Sequence, residues 1–247
     1  MIVLHEPGII FLKSRKTAGS SLEIALSAFA GEDDVITPID FGQSDDKSRS
    51  ELGYRGAQNY RKPIHGLLTR PTWRDWRDFL KRKPLRKHHD HSAARRVRWH
   101  FDTTKWHRYS KISIVRNPWD YMVSSYYWAN RDHEVLPDFQ RWCLDNDRLM
   151  NRNHRQYFIG NQCVIDHFLR FERLLEDLRG LEEKFPAIRG VADIFSGMNA
   201  KKGVRPKTGP SLDEIYRNAP QVDQLIRERC RFEIETFGYQ GPKMEAG

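Results

Sequence analysis

The chain has 247 residues, of which 38% are hydrophobic and 12% aromatic. This length and composition are ample for one folded domain with a hydrophobic core, and they exclude global disorder. The formal net charge of +9 predicts anionic partners, such as nucleotides, nucleic acid, acidic glycans or a membrane surface.

Three further features of the sequence indicate where the protein works. The sequence contains no run of about 18 apolar residues, so we expect no transmembrane helix. Residues 1–8 lack both a basic stretch and a long apolar stretch, so we expect no secretion signal. The three cysteines, Cys143, Cys163 and Cys230, are odd in number and widely spaced, which predicts reduced thiols in a cytoplasmic protein.

The first predicted unit is a strand, a turn and a helix. Residues 9–12 are apolar and predict a buried strand, and the spacing of Leu22, Ala25, Leu26 and Phe29 predicts a helix from about residue 20 to residue 30. The amides at a helix N-terminus bind anions, because they lack partners and the helix dipole is positive there. The candidate anion ligands of this first loop are Lys13, Arg15, Lys16, Thr17, Ala18, Gly19, Ser20 and Ser21.

The following stretch is polar and then strongly basic. Residues 40–66 show little periodicity and predict loops with short elements. Residues 61–111 contain sixteen Lys and Arg but four Asp. Four tryptophans and six histidines lie in the same span. Such a composition can bind nucleic acid or stack on sugar rings. We interpret residues 41–110 as a basic insertion, rich in Trp and His, that shapes an acceptor site within a single domain of residues 1–247.

A second strand, turn and helix follow. Residues 111–115 form an apolar strand pattern that stops at Arg116, and Pro118 suits the first turn of the next helix. Ser124 lies about two turns into that helix. An arginine at the end of a strand can bind a phosphate with two parallel hydrogen bonds.

The remaining elements continue the alternation. The sequence predicts a short helix over residues 137–144, a third strand over residues 164–171 and a helix that stops before Pro186. A capping box, Ser211 to Glu214, starts another helix, and Pro220 begins the last one. Strands that alternate with helices predict an α/β fold in three layers, with a central parallel sheet flanked by helices.

Two motifs resemble one protein family. Lys16-Thr17-Ala18-Gly19-Ser20-Ser21 resembles the 5′-phosphosulfate loop of sulfotransferases that use 3′-phosphoadenosine 5′-phosphosulfate (PAPS), and it is not a Walker A loop, whose lysine follows the glycine. Residues 114–127 resemble the 3′-phosphate-binding segment of the same family.

Further similarity extends over nearly the whole chain. Residues 168–177 and 233–239 resemble a strand-to-helix segment and the C-terminal segment of the family, and the similarity is weakest over residues 41–86. The chain is most similar to the bacterial branch related to Golgi carbohydrate sulfotransferases. Arg15 departs from the pattern, because many relatives have proline there.

The resemblance implies a P-loop-like fold and an in-line transfer of the sulfuryl group, without a metal, from PAPS to an acceptor hydroxyl. A carbohydrate is the best assignment for the acceptor, and a lipid or another small molecule is the open alternative. Positioning and electrostatic stabilisation carry most of such a reaction. Lys16 would stabilise the charge on the leaving phosphate. The first loop would hold the 5′-phosphosulfate and Arg116 with Ser124 the 3′-phosphate, while Lys202 and Arg205 of a late basic loop would close over the nucleotide.

The general base is expected to be a histidine, since a pKa near 6.5 suits proton transfer at neutral pH. His91 is the favoured candidate, because the segment that it begins resembles a histidine segment of the family, and His65 is the runner-up. A metal site built from His88, Asp90 and His91 is disfavoured, since adjacent ligands on one loop have no partner motif elsewhere.

Two other functional classes fit parts of the sequence. A P-loop kinase or NTPase would need the Walker lysine and an acidic Mg²⁺ ligand at the end of a strand, and neither is evident. A non-enzymatic protein that binds nucleic acid or an acidic polymer would explain the charge but not the two motifs. The sequence indicates no oligomeric state, and no nucleic-acid partner is expected.

Overall fold

The computed structural model describes residues 1–39, 44–62, 73–81, 85–198 and 210–243. Within these residues a five-stranded sheet has the order β3-β1-β2-β4-β7, and β5 and β6 form a separate hairpin. The strands are β1 (Ile2–Leu4), β2 (Ile9–Phe11), β3 (Val35–Ile36), β4 (Ser110–Val115), β5 (Phe158–Ile159), β6 (Gln162–Cys163) and β7 (His167–Arg170).

The sheet is mixed, which corrects the expectation of a parallel sheet. Strands β2, β4 and β7 are parallel to one another, but β1 runs antiparallel to both β2 and β3. The physical reason is the length of the connection between β1 and β2. Only residues 5–8 join them, with Gly8 at a φ of 64°, and so short a turn allows antiparallel pairing but no crossover.

The predicted helices are present, and the structure adds helices that the sequence did not predict, over residues 73–80, 94–100, 103–108, 154–157 and 191–197. The helix after the second loop begins at Pro118, and the capping box between Ser211 and Glu214 is present. The helices are α1 (Gly19–Ser27), α2 (Ser44–Glu51), α3 (Trp73–Leu80), α4 (Ala94–His100), α5 (Thr103–Arg108), α6 (Pro118–Ala129), α7 (Phe139–Asp145), α8 (His154–Tyr157), α9 (Leu174–Lys184), α10 (Val191–Gly197), α11 (Leu212–Arg217), α12 (Pro220–Arg229) and α13 (Arg231–Phe237).

Helices cover both faces of the five-stranded sheet. Side chains alternate along a strand, so Ile9 and Phe11 face one core cluster, whereas Ile10 and Leu12 face another. Helices α1, α9 and α10 pack in the first cluster, and α4 and α5 pack in the second. The chain therefore has an α/β architecture with a mixed sheet between helical layers.

A third apolar cluster joins helix α6 to the C-terminal helices. Trp119 is fully buried, and its indole N–H donates to Asp223 at 2.7 Å. The last predicted helix is interrupted in the structure, because Cys230 leaves helical geometry at φ −108° and ψ 27° and separates α12 from α13.

The predicted insertion at residues 41–110 divides into parts with different surroundings. Helices α4 and α5, at its end, contribute Val97 and Trp106 to the core, whereas Trp73 and Trp76 of α3 are exposed. The role of this stretch in an acceptor site stays a prediction. Among the described residues, no helix is long and apolar enough to cross a membrane.

Candidate functional site

The first loop connects the end of β2 to the start of α1 in an unusual backbone conformation. Lys16 and Ala18 have φ values of 58° and 57°, a left-handed region that costs a non-glycine residue about 1–2 kcal/mol. Positive φ values at alternate positions turn neighbouring N–H groups to one side and form a concavity for an anion. No side chain caps α1, and its first intrahelical bond joins the Leu22 N–H to the Ala18 carbonyl at 3.2 Å. The amides of residues 19–21 thus have no partner within the helix.

Buried hydrogen bonds hold this loop in its strained shape. Ser14 Oγ donates to the Ile114 carbonyl of β4 at 2.5 Å and lies 2.8 Å from Thr17 Oγ1. Asn153 Oδ1 accepts from the Arg15 N–H at 2.9 Å, and its Nδ2 donates to the Arg15 carbonyl at 3.2 Å. The Thr17 hydroxyl, predicted to hold the donor, is therefore engaged inside the loop.

Lys13 lies in a buried ion cluster beneath the loop. Its ammonium is 3.0 Å from Glu23 Oε2 and 2.5 Å from Asp90 Oδ1, and the Met1 ammonium also pairs with Glu23. The Lys13 side chain is 3% exposed and Glu23 is fully buried. Lys13 was predicted among the donor ligands, but this placement makes its charge the counterion of two carboxylates.

Gly19 has a packing role that the sequence did not indicate. A Cβ at this position would lie 2.8 Å from Lys13 Cγ, so only glycine fits beside the lysine stem. The sequence analysis placed Gly19 among the anion ligands of the first loop, where a glycine lets an oxyanion approach the backbone closely. The structure adds a second reason that involves Lys13.

The second loop meets the first at the same edge of the sheet. Arg116 Nη1 donates to the Lys16 carbonyl at 2.6 Å, and Arg116 Nε and Nη2 donate to Asp120 Oδ2 at 2.7 and 2.5 Å. The guanidinium also lies 4.1 Å above the Phe171 ring. A guanidinium has five N–H donors, and these three bonds leave two for a ligand.

Helix α6 is anchored at its start by side chains from two directions. Asn117 Oδ1 accepts from the Trp119 and Asp120 N–H groups, and the Asn117 N–H donates to Glu172 Oε1 at 2.7 Å. The segment that carries Glu172 follows β7, and it was recognised only as a family resemblance. The contact between Glu172 and Asn117 holds this segment at the edge of the sheet where the two loops meet.

Three hydroxyls that were predicted to bind the donor have no competing partner. Ser20 and Ser21 lie in the first turn of α1, and Ser124 lies one turn after Asp120 on the same side of α6. None of the three hydroxyls makes a hydrogen bond to a residue that the structure describes. Such half-buried hydroxyls can bind an oxyanion without breaking an existing bond.

Trp128 contacts the side chain of Lys16 in a way that the sequence did not reveal. The Lys16 ammonium lies 4.3 Å from the centre of the Trp128 ring, and the Arg131 guanidinium lies 4.6 Å from the same centre. Both distances are typical of cation–π contacts. The contact draws the Lys16 ammonium toward α6, on which Ser124 also lies.

Further arginines lie beside the first loop. Because Asn153 binds the Arg15 backbone, Arg152 and Arg155 lie close to Arg15, and burial followed by the charge of Arg152 lowers the pKa of Arg15. No carboxylate of a described residue forms an ion pair with any of these three guanidiniums. The charge of Asp90 opposes this shift at Arg15, and Arg152 and Arg155 are exposed, so the group presents positive charge that can attract an anion.

His91 lies against the first loop and beside Asp90. Its Nδ1 is 3.1 Å from the Lys13 carbonyl, which only accepts hydrogen bonds, so the proton of the neutral ring is assigned to Nδ1 and the lone pair to Nε2. Nε2 is 3.3 Å from Asp90 Oδ2. Burial, opposed by the Asp90 charge, lowers the pKa of His91 from 6.5 to about 3, so the ring is neutral at pH 7. The runner-up His65, and Lys202 and Arg205, lie outside the described residues.

The neutral buried histidines predict a specific dependence of stability on pH. Burial lowers the pKa of both His88 and His91 to about 3, whereas the unfolded chain titrates near 6.5. The unfolded state therefore binds more protons between these values, and the free energy of unfolding should fall by about 1.4 kcal/mol per pH unit for each histidine as the pH drops below about 6.

Urea unfolding between pH 7 and pH 4 measures this slope. In the variant His88→Leu, the slope of the free energy of unfolding against pH should be smaller by the contribution of one histidine. The stability of this variant at pH 7 can differ from the parent's. His107→Gln, at an exposed position, is the matched control and should keep the parent slope. A parent whose stability is flat over this range would contradict neutral buried histidines.

Comparisons with known proteins assign neither a family nor a function to this chain. Within the described part of the chain, no group of three His, Cys, Asp or Glu residues is arranged to hold a metal ion. Searches against known protein families, curated proteins and solved structures found no match. Any function must therefore be argued from the geometry of this site.

Proposed function

We propose that the chain is a sulfotransferase that moves a sulfuryl group from PAPS to a hydroxyl of a carbohydrate acceptor. The observation that carries the proposal is the hydrogen bond of 2.6 Å between Arg116 Nη1 and the Lys16 carbonyl. It joins the two loops at the carboxyl ends of the parallel strands β2 and β4, where open α/β sheets bind ligands. One nucleotide with phosphates at both ends of its ribose can reach both loops.

The residues at this edge suit an anionic donor. The amides of residues 19–21, which have no partner within the helix, and the hydroxyls of Ser20 and Ser21, which bind no described residue, would hold the 5′-phosphosulfate. The two remaining donors of Arg116, with the Ser124 hydroxyl, would hold the 3′-phosphate. This arrangement supports a P-loop-like donor site whose lysine precedes the glycine.

The reaction needs one base and one cation. The acceptor oxygen forms a bond to sulfur while the bond from sulfur to the 5′-phosphate oxygen breaks, and the acceptor proton passes to His91 Nε2. This transfer requires the occupied site to raise the pKa of His91 from the value of about 3 that burial gives it. Asp90 Oδ2, 3.3 Å from that nitrogen, stabilises the imidazolium that results. The ammonium of Lys16 leaves the Trp128 ring and contacts the leaving phosphate instead. The flexible side chain of the lysine permits this movement.

The arginines beside the first loop narrow the class of acceptor. Arg15, Arg152 and Arg155 have no carboxylate partners among the described residues, so they favour an acceptor that carries its own acidic group. An acidic glycan has this property and offers the hydroxyl that the reaction needs. A neutral sugar would leave the three charges uncompensated.

The decisive experiment compares two nucleotides in the parent and in Arg116→Ala. The product 3′-phosphoadenosine 5′-phosphate should stabilise the parent against heat, and ATP with Mg²⁺ should do so far less. Arg116→Ala should bind the product about 100-fold more weakly, since a charge-assisted pair contributes about 1.5–3 kcal/mol. Titration calorimetry measures the affinity, and transfer of label from ³⁵S-PAPS measures turnover.

A matched control removes an arginine elsewhere on the surface. Arg173 is 50% exposed and pairs with Glu176, so Arg173→Ala should leave the affinity unchanged. An equal response to ATP, or an unaltered affinity in Arg116→Ala, would refute the proposed donor and revive an NTPase.

A further inference from the structure

Helix α3 (Trp73–Leu80) presents large apolar side chains to solvent. Trp73 is 75% exposed, Trp76 48%, Phe79 46% and Leu80 78%. Positions 73, 76, 79 and 80 lie within about a third of the helix circumference, because each residue advances the direction of its side chain by about 100°. A soluble surface rarely exposes so many large apolar side chains on two helical turns.

The apolar face is bordered by cations. The Arg77 guanidinium lies 5.7 Å from the centre of the Trp73 ring, and Lys81 follows the helix at an exposed position. In the sequence, residues 61–87 contain ten Lys and Arg and two Asp, a balance of +8 within a chain whose net charge is +9. Most of the excess positive charge thus lies within about 12 sequence positions of this helix.

We propose that α3 binds the surface of an anionic lipid bilayer, with its axis in the plane of the membrane. Tryptophan and phenylalanine partition to the boundary between headgroups and acyl chains, and leucine adds apolar burial. The stems of Arg77 and Lys81 lie along that boundary while their charges reach the phosphates of the headgroups. The inference depends on neither the donor nor the reaction.

The observations favour a bilayer over other anionic partners. Nucleic acids and acidic glycans match the cations, but they offer no apolar phase to cover Leu80, which is 78% exposed and has no aromatic face to stack on a base or a sugar. A protein groove would cover the apolar face, but it would not account for the ten Lys and Arg of residues 61–87. An anionic bilayer offers an apolar phase for the arc and negative charge for Arg77 and Lys81.

Vesicle co-sedimentation tests the proposal on the full chain. The parent should bind phosphatidylcholine vesicles that contain about 30 mol % phosphatidylserine at least about tenfold more tightly than pure phosphatidylcholine vesicles, and an increase of NaCl from about 0.1 M to about 0.5 M should weaken the binding. The double variant Trp76→Ser/Leu80→Ser should lose about tenfold or more in affinity. Its melting temperature should match the parent's, because both side chains are exposed.

The control variant is Trp99→Ser, which removes a tryptophan that is 55% exposed on α4. It should bind anionic vesicles like the parent. Parental binding by the double variant would overturn the proposal, because charge without the apolar face would then suffice. Equal binding to both kinds of vesicle, or binding to an acidic polysaccharide or an oligonucleotide that the double variant loses to the same extent, would also overturn it.

Discussion

Lys16→Met is expected to lower the turnover of PAPS by about two to three orders of magnitude, which corresponds to about 3–4 kcal/mol of transition-state stabilisation. The Lys16 ammonium points from the first loop toward helix α6 and lies 4.3 Å from the centre of the Trp128 ring. Methionine preserves the length and the apolar stem, and its sulfur can keep a contact with the indole. The loss should therefore report the missing charge at the leaving phosphate.

Transfer of label from ³⁵S-PAPS measures the turnover, and calorimetry with 3′-phosphoadenosine 5′-phosphate measures the affinity. We expect the affinity to change far less than the turnover, because the charge matters most when the bond to sulfur breaks. Lys47→Met, which removes an exposed lysine of α2, should keep the parent's turnover. Parental turnover by Lys16→Met would assign the electrostatic role to another residue.

Lys13→Met is expected to destabilise the fold by about 3–5 kcal/mol, because it removes from the buried Glu23 one of its cations and leaves the Met1 ammonium to compensate it. Glu23 is fully buried, and the Lys13 ammonium lies 3.0 Å from its Oε2 and 2.5 Å from Asp90 Oδ1. The result decides between two roles for Lys13. If Lys13 is a ligand of the donor, its replacement should weaken the binding of nucleotide and leave the stability nearly unaltered. If Lys13 is a buried counterion, its replacement should lower the stability and leave the affinity for nucleotide nearly unaltered.

Urea unfolding at pH 7 measures this effect. The double variant Lys13→Met/Glu23→Gln should regain part of the loss, since the two groups interact directly and their effects are not additive. The control is again Lys47→Met, whose partner Glu51 is 62% exposed and 3.6 Å away, so its cost should stay below about 0.5 kcal/mol. A Lys13→Met variant as stable as the control would show that Glu23 is compensated by other charges.

Local patterns predicted the elements that carry the site. The apolar run before the first loop, the Arg116-Asn117-Pro118 turn and the box from Ser211 to Glu214 each act within a few residues, through side-chain periodicity or capping bonds. For this reason the observed strands and helices lie close to their predicted bounds. The antiparallel β1 was missed, because its direction depends on the turn at residues 5–8 and on pairing, not on periodicity.

The partners of the polar groups could not be predicted in this way. Asn153 binds the backbone of Arg15, which is 138 positions away in the sequence, and the Trp128 ring contacts the ammonium of Lys16. No spacing rule joins such residues, since the pairs form only when the sheet brings distant loops together. The same holds for Lys13, which looked like a ligand of the first loop until the fold placed Asp90 beside it.

The sequence by itself determined the strands and helices on either side of the two loops, the hydroxyls and cations that these loops carry, and the concentration of positive charge within residues 61–87. These properties depend on composition and on contacts between near neighbours in the chain. The tertiary structure decided which cations pair with carboxylates inside the protein and which remain at the surface for a ligand. That choice depends on burial and on long-range contacts, because an ion pair is set by the surroundings of both partners and not by the residues beside either one.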